Sequence, residues 1–278
     1  MEKNKLNSSR SCFLMNVGIC IGLRRHNFPG IGVVCVSLFL CFLASTAICQ
    51  DTGKIKLGAF DYPPFYRMES NTIHGIGVDL GNELFKRLHL ETELTLYPLK
   101  RALIYMEKGL VDGIMILVKT SEREQYMIYS EPMIPANGYI WSAADREDGP
   151  VNFESLEDLR PYKIGVTIGY SYGPPMDEFL KSMSTDSAPE EYQSFKKLMA
   201  HRLDIVPATS IIVKSMIKNH PEFHGKFVQS KQSFHESFYY MGISGKSRLT
   251  QMMPLINKII ADMKAEGVID RIVKRYTE

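Results

Sequence analysis

From residue 54 onward, short apolar runs of strand character alternate with stretches of helical spacing, and this alternation limits the fold more than any other feature. Ile55, Leu57 and Ala59 occupy alternate positions, the period of a strand. Leu80, Leu84 and Leu88 share one helical face across residues 79–88. Leu94 and Leu96 mark a second strand. Leu99, Leu103, Met106 and Leu110 mark a second helix, with Gly109 near its end. Residues 111–118 are an apolar run broken only by Asp112-Gly113, as a strand buried on both faces would be. This βαβαβ order predicts a parallel sheet with helices on both faces.

Residues 145–150 (DREDGP) form a polar, turn-rich break, after which the alternation restarts. A strand is predicted over 162–168 and a helix near 176–183. A further helix runs through Phe195, Leu198 and Met199, and Asp204-Ile205-Val206 reads as a strand. A helix over 211–218 stops at Asn219-His220-Pro221. A strand over 238–243 and two helices, 249–264 and 267–276, complete the pattern. With 278 residues, about two units are expected, and a cleft between two α/β units is a common small-molecule site.

Charge and cysteine are distributed unevenly. The formal charge is +2, but residues 1–49 hold five basic residues and one acid, leaving 28 basic against 30 acidic residues beyond them. A slightly acidic body argues against nucleic acid as a partner. All five cysteines (Cys12, Cys20, Cys35, Cys41, Cys49) fall in the same segment. The body therefore has no disulfide framework, no Cys-bearing zinc site and no thiol nucleophile. Residues 31–48 carry no charge, follow Arg24-Arg25-His26 and end on small residues, the pattern of a secretory signal cleaved after Ala47 or Cys49. The alternative is an uncleaved anchor, for which 18 apolar residues nearly suffice. The small-residue end and the lack of a following basic cluster favour cleavage, with residues 1–49 as signal peptide.

The run at residues 107–132 (EKGLVDGIMILVKTSEREQYMIYSEP) resembles the bacterial extracellular solute-binding proteins of family 3, the periplasmic receptors of amino-acid-type uptake systems. Four more segments resemble the family in the right order: Tyr62-Pro63-Pro64-Phe65; residues 75–80 (GIGVDL); residues 155–159 (SLEDL); and Ile164-Gly165-Val166 with Gly169-Tyr170-Ser171. His201-Arg202-Leu203-Asp204 matches a Gly-Arg-x-Asp pattern with His201 in place of glycine. The resemblance covers residue 54 to the end. It implies an α/β, two-lobe periplasmic-binding-protein (Venus-flytrap) fold, each lobe a central sheet flanked by helices, with two hinge crossings. Residues 54–142 and 232–278 would form lobe 1 and residues 143–231 lobe 2.

The resemblance also implies a site. Arg123, in the matched Thr-x-x-Arg motif, would grip a ligand carboxylate, for which a guanidinium fork is suited. Thr120 would bind the same group, and Lys119 would add charge or else be a solvated lysine. Tyr62 would stack on the ligand. Phe65 belongs to the same loop and equally suits a core position. Leu99 stands where many relatives place an aromatic, and Arg101 either faces the cleft or is an exposed first-turn residue. Ser171 would meet the ligand from the second lobe at a helix N-terminus, or simply cap that helix, with Tyr170 as a wall. Thr209 is the departure: amino-acid receptors place an aspartate there for the ligand's ammonium. That loss casts doubt on a standard α-amino acid and favours an anion; should an ammonium bind, Glu131 or Glu236 is the expected substitute acid. Asp204 reads as structural.

No metal pattern and no cofactor motif are present in the sequence. The expected function is a non-enzymatic, monomeric periplasmic receptor that captures a small carboxylate-bearing solute and delivers it to an ABC-type permease. The alternatives are a dehydratase-like enzyme on the same scaffold, with Glu122 and Glu131 as its candidate acids, or an orphan sensory module.

Overall fold

A computed structural model describes residues 53–278; the expected signal segment and all five cysteines lie outside the described residues. In chain order the elements are β1 (Ile55–Ala59), β2 (Arg67–Glu69), β3 (Thr72–His74), α1 (Ile76–Arg87), β4 (Thr92–Leu96), α2 (Leu99–Lys108), β5 (Gly113–Val118), β6 (Met127–Tyr129), β7 (Ile134–Pro135) and β8 (Gly138–Ala143). They continue with β9 (Ile164–Thr167), α3 (Pro174–Lys181), β10 (Thr185–Ala188), α4 (Glu191–Met199), β11 (Val206–Thr209), α5 (Ser210–Asn219), β12 (Phe227–His235), β13 (Phe238–Ser244), α6 (Met253–Ala265) and α7 (Val268–Thr277).

The first lobe is built on a sheet of order β4-β1-β5-β13-β6, with β7 paired to β13. As the opening βαβαβ pattern predicts, β1 is parallel to both β4 and β5. The late strand β13 inserts antiparallel between β5 and β6, so the sheet is mixed. Helix α1 presents Leu80, Leu84 and Phe85 to this sheet and α6 presents Ile256, Ile259 and Ile260, all buried in one core. Helix α2 ends at Gly109, which adopts the left-handed conformation (φ 73°) that a helix C-terminus favours. The first of the two terminal helices, expected over 249–264, is instead a 3-10 turn, Arg248–Met252, followed by α6. Pro254, in the first turn of α6, lacks the N–H that a longer helix would need there.

The second lobe holds a three-stranded sheet, β11-β8-β12, and the parallel pair β10-β9. An isolated bridge between Ile164 and Ile205 and the Gly165 N–H donated to the Ile205 carbonyl (2.9 Å) join the two. Strand β11 starts at Val206, two residues later than the expected strand. Asp204 accepts the Lys163 amide (2.8 Å) and ties down the turn before it. Two cores fill this lobe, one around Ile164, Met176 and Phe179, the other around Trp141, Phe195 and Phe223. The boundaries expected at 142/143 and 231/232 fall inside β8 and β12, and both strands pair in the second lobe's sheet.

Candidate functional site between the lobes

Because β1, β4 and β5 are parallel, their C-terminal ends share one edge of the first sheet. Tyr62 follows β1, Leu99 follows β4, and Lys119, Thr120 and Arg123 follow β5. Tyr239 of β13 pairs with Val118, which brings it to the same edge. In the second lobe β9 and β10 are likewise parallel, so Tyr170 and Glu191 follow adjacent strand ends. Ligands sit at such carboxyl edges in open α/β sheets.

Three tyrosines join the two edges. The Tyr62 hydroxyl is hydrogen-bonded to the Tyr170 hydroxyl (3.0 Å), from lobe to lobe, and to the Tyr239 hydroxyl (2.9 Å). Tyr62 is held by Phe65 (ring centroids 5.2 Å) and Phe60 (5.6 Å, stacked), and Tyr170 lies against Tyr172 (5.4 Å). Burial raises the pKa of all three linked hydroxyls, so they remain neutral donors and acceptors. Thr209, half-buried at the start of α5, sits beside the Tyr239 hydroxyl. The position that the resemblance links to an ammonium therefore lies at the rim of this cluster, without charge.

The remaining expected residues divide. Arg123 lies on a 3-10 turn, half-buried, and its Nη1 donates to the Val118 carbonyl at the end of β5 (2.8 Å). The Thr120 hydroxyl accepts the Arg123 amide (3.4 Å), which closes the turn that carries the guanidinium. Lys119 is engaged on the surface by Glu124 (2.7 Å). Arg101 is exposed on the first turn of α2, and Leu99 is 37 % exposed beside it. Phe65 is fully buried against Tyr239 (4.5 Å), a core residue supporting Tyr62 rather than a ligand wall. The Ser171 hydroxyl donates to Asp177 (2.5 Å), which also accepts the Tyr172 amide (2.8 Å). The carboxylate of α3's own first turn thus occupies the donors on which an anion reading of this helix N-terminus relied. Glu122, Glu131 and Glu236 are all exposed.

Two residues of the site were not singled out in the sequence. Tyr239 sits in an apolar strand and gives no signal apart from its hydroxyl. Glu191, in the run Pro189-Glu190-Glu191, looks like an ordinary acidic helix start. The residue is half-buried, and the desolvation of its carboxyl pushes its pKa up to about 8. Once ionised, it raises the pKa of the Tyr62, Tyr170, Tyr172 and Tyr239 hydroxyls further. The folded chain keeps this proton up to about pH 8, whereas an unfolded chain releases it near 4.5. The folded state then binds more protons inside that window, and stability falls as pH rises through it. Glu191→Gln is expected to leave stability at pH 4 unchanged and to raise it by about 1–3 kcal/mol at pH 8.5, as urea unfolding at the two pH values would read.

The sheet order, the facing strand edges and the hydroxyl bridge define a two-lobe binding protein. The chain belongs to the bacterial extracellular solute-binding proteins, family 3, whose model matches residues 55–278. It is 23% identical over 252 residues to the arginine-binding extracellular protein ArtP of Bacillus subtilis (strain 168), covering 87% of this chain and 94% of that protein. It is 23% identical over 260 residues to the histidine-binding periplasmic protein of Escherichia coli (strain K12), covering 88% and 95%. Among solved structures, an ancestral cationic amino acid solute binding protein (AncCDT-1) superposes with a TM-score of 0.66 at 21% identity, covering 81% of this chain and 96% of that one. The protein is thus a solute-binding receptor.

Proposed function

We propose that the protein closes its two lobes on an amino acid outside the cytoplasm, as a monomer in the periplasm, and passes it to the membrane permease of an ABC-type transporter. The observation that carries this reading is the Tyr62–Tyr170 hydroxyl bond, which joins the lobes at the carboxyl edges of both sheets. The chain changes lobe at residues 136–137 and 236–237. There the Ala136 amide donates to the Ser237 carbonyl (2.8 Å) and the Ser237 amide to the Asn137 side chain (3.3 Å). Two short crossings permit hinge closure, and a ligand touching both lobes favours the closed form by its differential affinity. The ligand's carboxylate binds at Arg123 and Thr120, and Tyr62 and Tyr170 wall it from either side.

Relatives named for arginine and histidine support an amino acid over a plain organic acid. So does the site's charge: Lys119 is paired with Glu124, Arg101 is exposed, and the Ser171 hydroxyl is bonded to Asp177. These pairings outweigh the anion preference that Thr209 alone suggests. A dehydratase-like enzyme finds no support at Glu122 and Glu131, both exposed.

The test is a thermal-shift panel of the twenty L-amino acids together with succinate, glutarate and citrate, run on protein stripped of ligand by unfolding and refolding. At least one amino acid is expected to raise the melting temperature and to shrink the radius of gyration in solution scattering. Stabilisation by the acids alone would reject an amino-acid ligand. An unchanged scattering profile on binding would reject hinge closure.

A further inference from the structure

We propose that Tyr239 is a positioning residue of the site: standing behind Tyr62 in the first lobe, it sets the direction of the hydroxyl chain Tyr239–Tyr62–Tyr170, so that Tyr170 offers the chain's one surplus hydrogen to an acceptor oxygen of the ligand. The inference rests on the receptor reading above and names a residue that acts on the ligand through two others.

The first observation is the count of hydrogens. The Tyr62 hydroxyl is the middle member, 2.9 Å from the Tyr239 hydroxyl and 3.0 Å from the Tyr170 hydroxyl. Each phenol has one hydrogen to donate and lone pairs with which to accept. Three hydrogens serve two bonds, and one is left over at an end of the chain. The two ends differ in their surroundings. Tyr239 is 2 % exposed, inside the first lobe's core, whereas Tyr170 is half-buried beyond the end of β9. A buried hydroxyl hydrogen without an acceptor is costly, so the surplus belongs at Tyr170. The order of donation is then Tyr239 to Tyr62 and Tyr62 to Tyr170. Thr209, beside the Tyr239 hydroxyl, can add its own hydrogen behind Tyr239 in the same order.

The second observation is which member is fixed. Tyr62 is carried on a loop and is tied there by a bridge to Tyr66. Tyr239 lies within β13, paired with Val118 on one side and Ile134 on the other, and its carbonyl accepts the Met133 amide (2.8 Å). Its ring packs on Phe65 (centroids 4.5 Å) and meets the Tyr62 ring edge-on (6.3 Å). The strand-borne phenol is the fixed point from which the loop-borne one takes its direction. On the second lobe, Tyr170 is held by its amide on the Thr167 carbonyl (3.2 Å) and by Tyr172, whose hydroxyl accepts the Thr167 amide (2.8 Å). Hydrogen bonds in a chain polarise one another, so a donor behind Tyr62 strengthens the bond in front of it and the hydrogen that Tyr170 presents.

The experiment is calorimetric titration of the wild type, Tyr239→Phe, Tyr62→Phe and the double variant with the best L-amino acid of the thermal-shift panel. Tyr239→Phe keeps the ring in the core and removes only the oxygen. It is expected to weaken binding by about 3- to 10-fold, the range for one hydrogen bond, and Tyr62→Phe by at least as much. Tyr62→Phe cuts the chain, so in that background Tyr239→Phe should change the affinity by less than about twofold. A merely structural role of Tyr239 in β13 would move the affinity equally in both backgrounds, and that result overturns the assignment. Equal affinity of wild type and Tyr239→Phe also overturns it and leaves the receptor reading intact. If no amino acid binds the wild type, the receptor reading fails first and the assignment falls with it. Should Tyr239→Phe lack a native circular dichroism spectrum, Tyr170→Phe decides the matter. It removes the presented hydrogen itself and should weaken the amino acid by about 3-fold or more, and unchanged affinity overturns the proposal.

Discussion

Arg123→Ala is expected to lower ligand affinity by about 2–5 kcal/mol, from roughly 30-fold to several thousand-fold. The guanidinium carries five N–H donors in a rigid plane. One, on Nη1, is committed to the Val118 carbonyl at the end of β5 (2.8 Å), and that bond fixes the plane against the sheet edge. The other donors remain for a carboxylate, which pairs best with a fork already held in position. The turn around it is fastened as well, since the Arg123 amide reaches the Thr120 hydroxyl and the Glu124 amide the Thr120 carbonyl (3.1 Å). Removal of the side chain strands the ligand's charge in a partly desolvated cleft, which accounts for most of the loss. Fold stability should fall by only about 1 kcal/mol, the worth of the lost hydrogen bond at a half-exposed position. Arg123→Lys keeps the charge but not the fork, so an intermediate affinity is expected. Calorimetry separates the three proteins, and equal affinity of wild type and Arg123→Ala would remove Arg123 from the site.

Gly75→Ala is expected to destabilise the protein by about 2–4 kcal/mol and to weaken binding together with it. Gly75 precedes α1 with φ 135°, a conformation that side chains rarely adopt. A Cβ there would lie 2.2 Å from the Phe65 carbonyl oxygen and 2.7 Å from that of Pro64, both backbone atoms that cannot rotate away. The close approach exists because the first amides of α1 bind the loop: Ile76 N–H donates to Pro64 and Gly77 N–H to Phe65, both at 3.0 Å. The helix start thus holds the loop that carries Tyr62. Pushing the two apart shifts the hydroxyl that meets Tyr170 and Tyr239. Gly149→Ala is the control. It also has positive φ (71°), but no neighbour lies within 4 Å of the added Cβ, so only the backbone strain of about 1–2 kcal/mol applies. Urea unfolding of both variants is the measurement. Equal losses would show that the conformation of Gly75, and not its contact with the Tyr62 loop, is what matters.

Elements with one apolar face were legible in the sequence. Leu80 and Leu84 marked α1, Ile55, Leu57 and Ala59 marked β1, and Gly109 marked the end of α2, because burial on one side imposes a period on the chain. Strand β12 was not legible. Its FVQSKQSFH run lies at one side of a three-stranded sheet, its register shifts between Gln229 and Ser233, and most of it is half-buried, so no period survives. The antiparallel course of β13 was hidden for a different reason: an apolar strand carries the same pattern in either direction.

The sequence by itself determined the α/β class, the order of its units and the family, since those follow from local periodicity and from short motifs whose order is itself a sequence property. It also placed Tyr62, Arg123 and Tyr170 among the candidates. Tertiary structure alone decided which candidates meet. Lys119 and Glu124 are five residues apart and pair on the surface, whereas Tyr62 and Tyr170, 108 residues apart, share a hydrogen bond. Glu191 differs from its neighbour Glu190 in no local feature of the sequence. Only the parallel pairing of β9 with β10 sets it beyond a strand end next to that of Tyr170, where it is half-buried while Glu190 is exposed. Burial is a property of what surrounds a side chain after folding, and no short window of residues contains it.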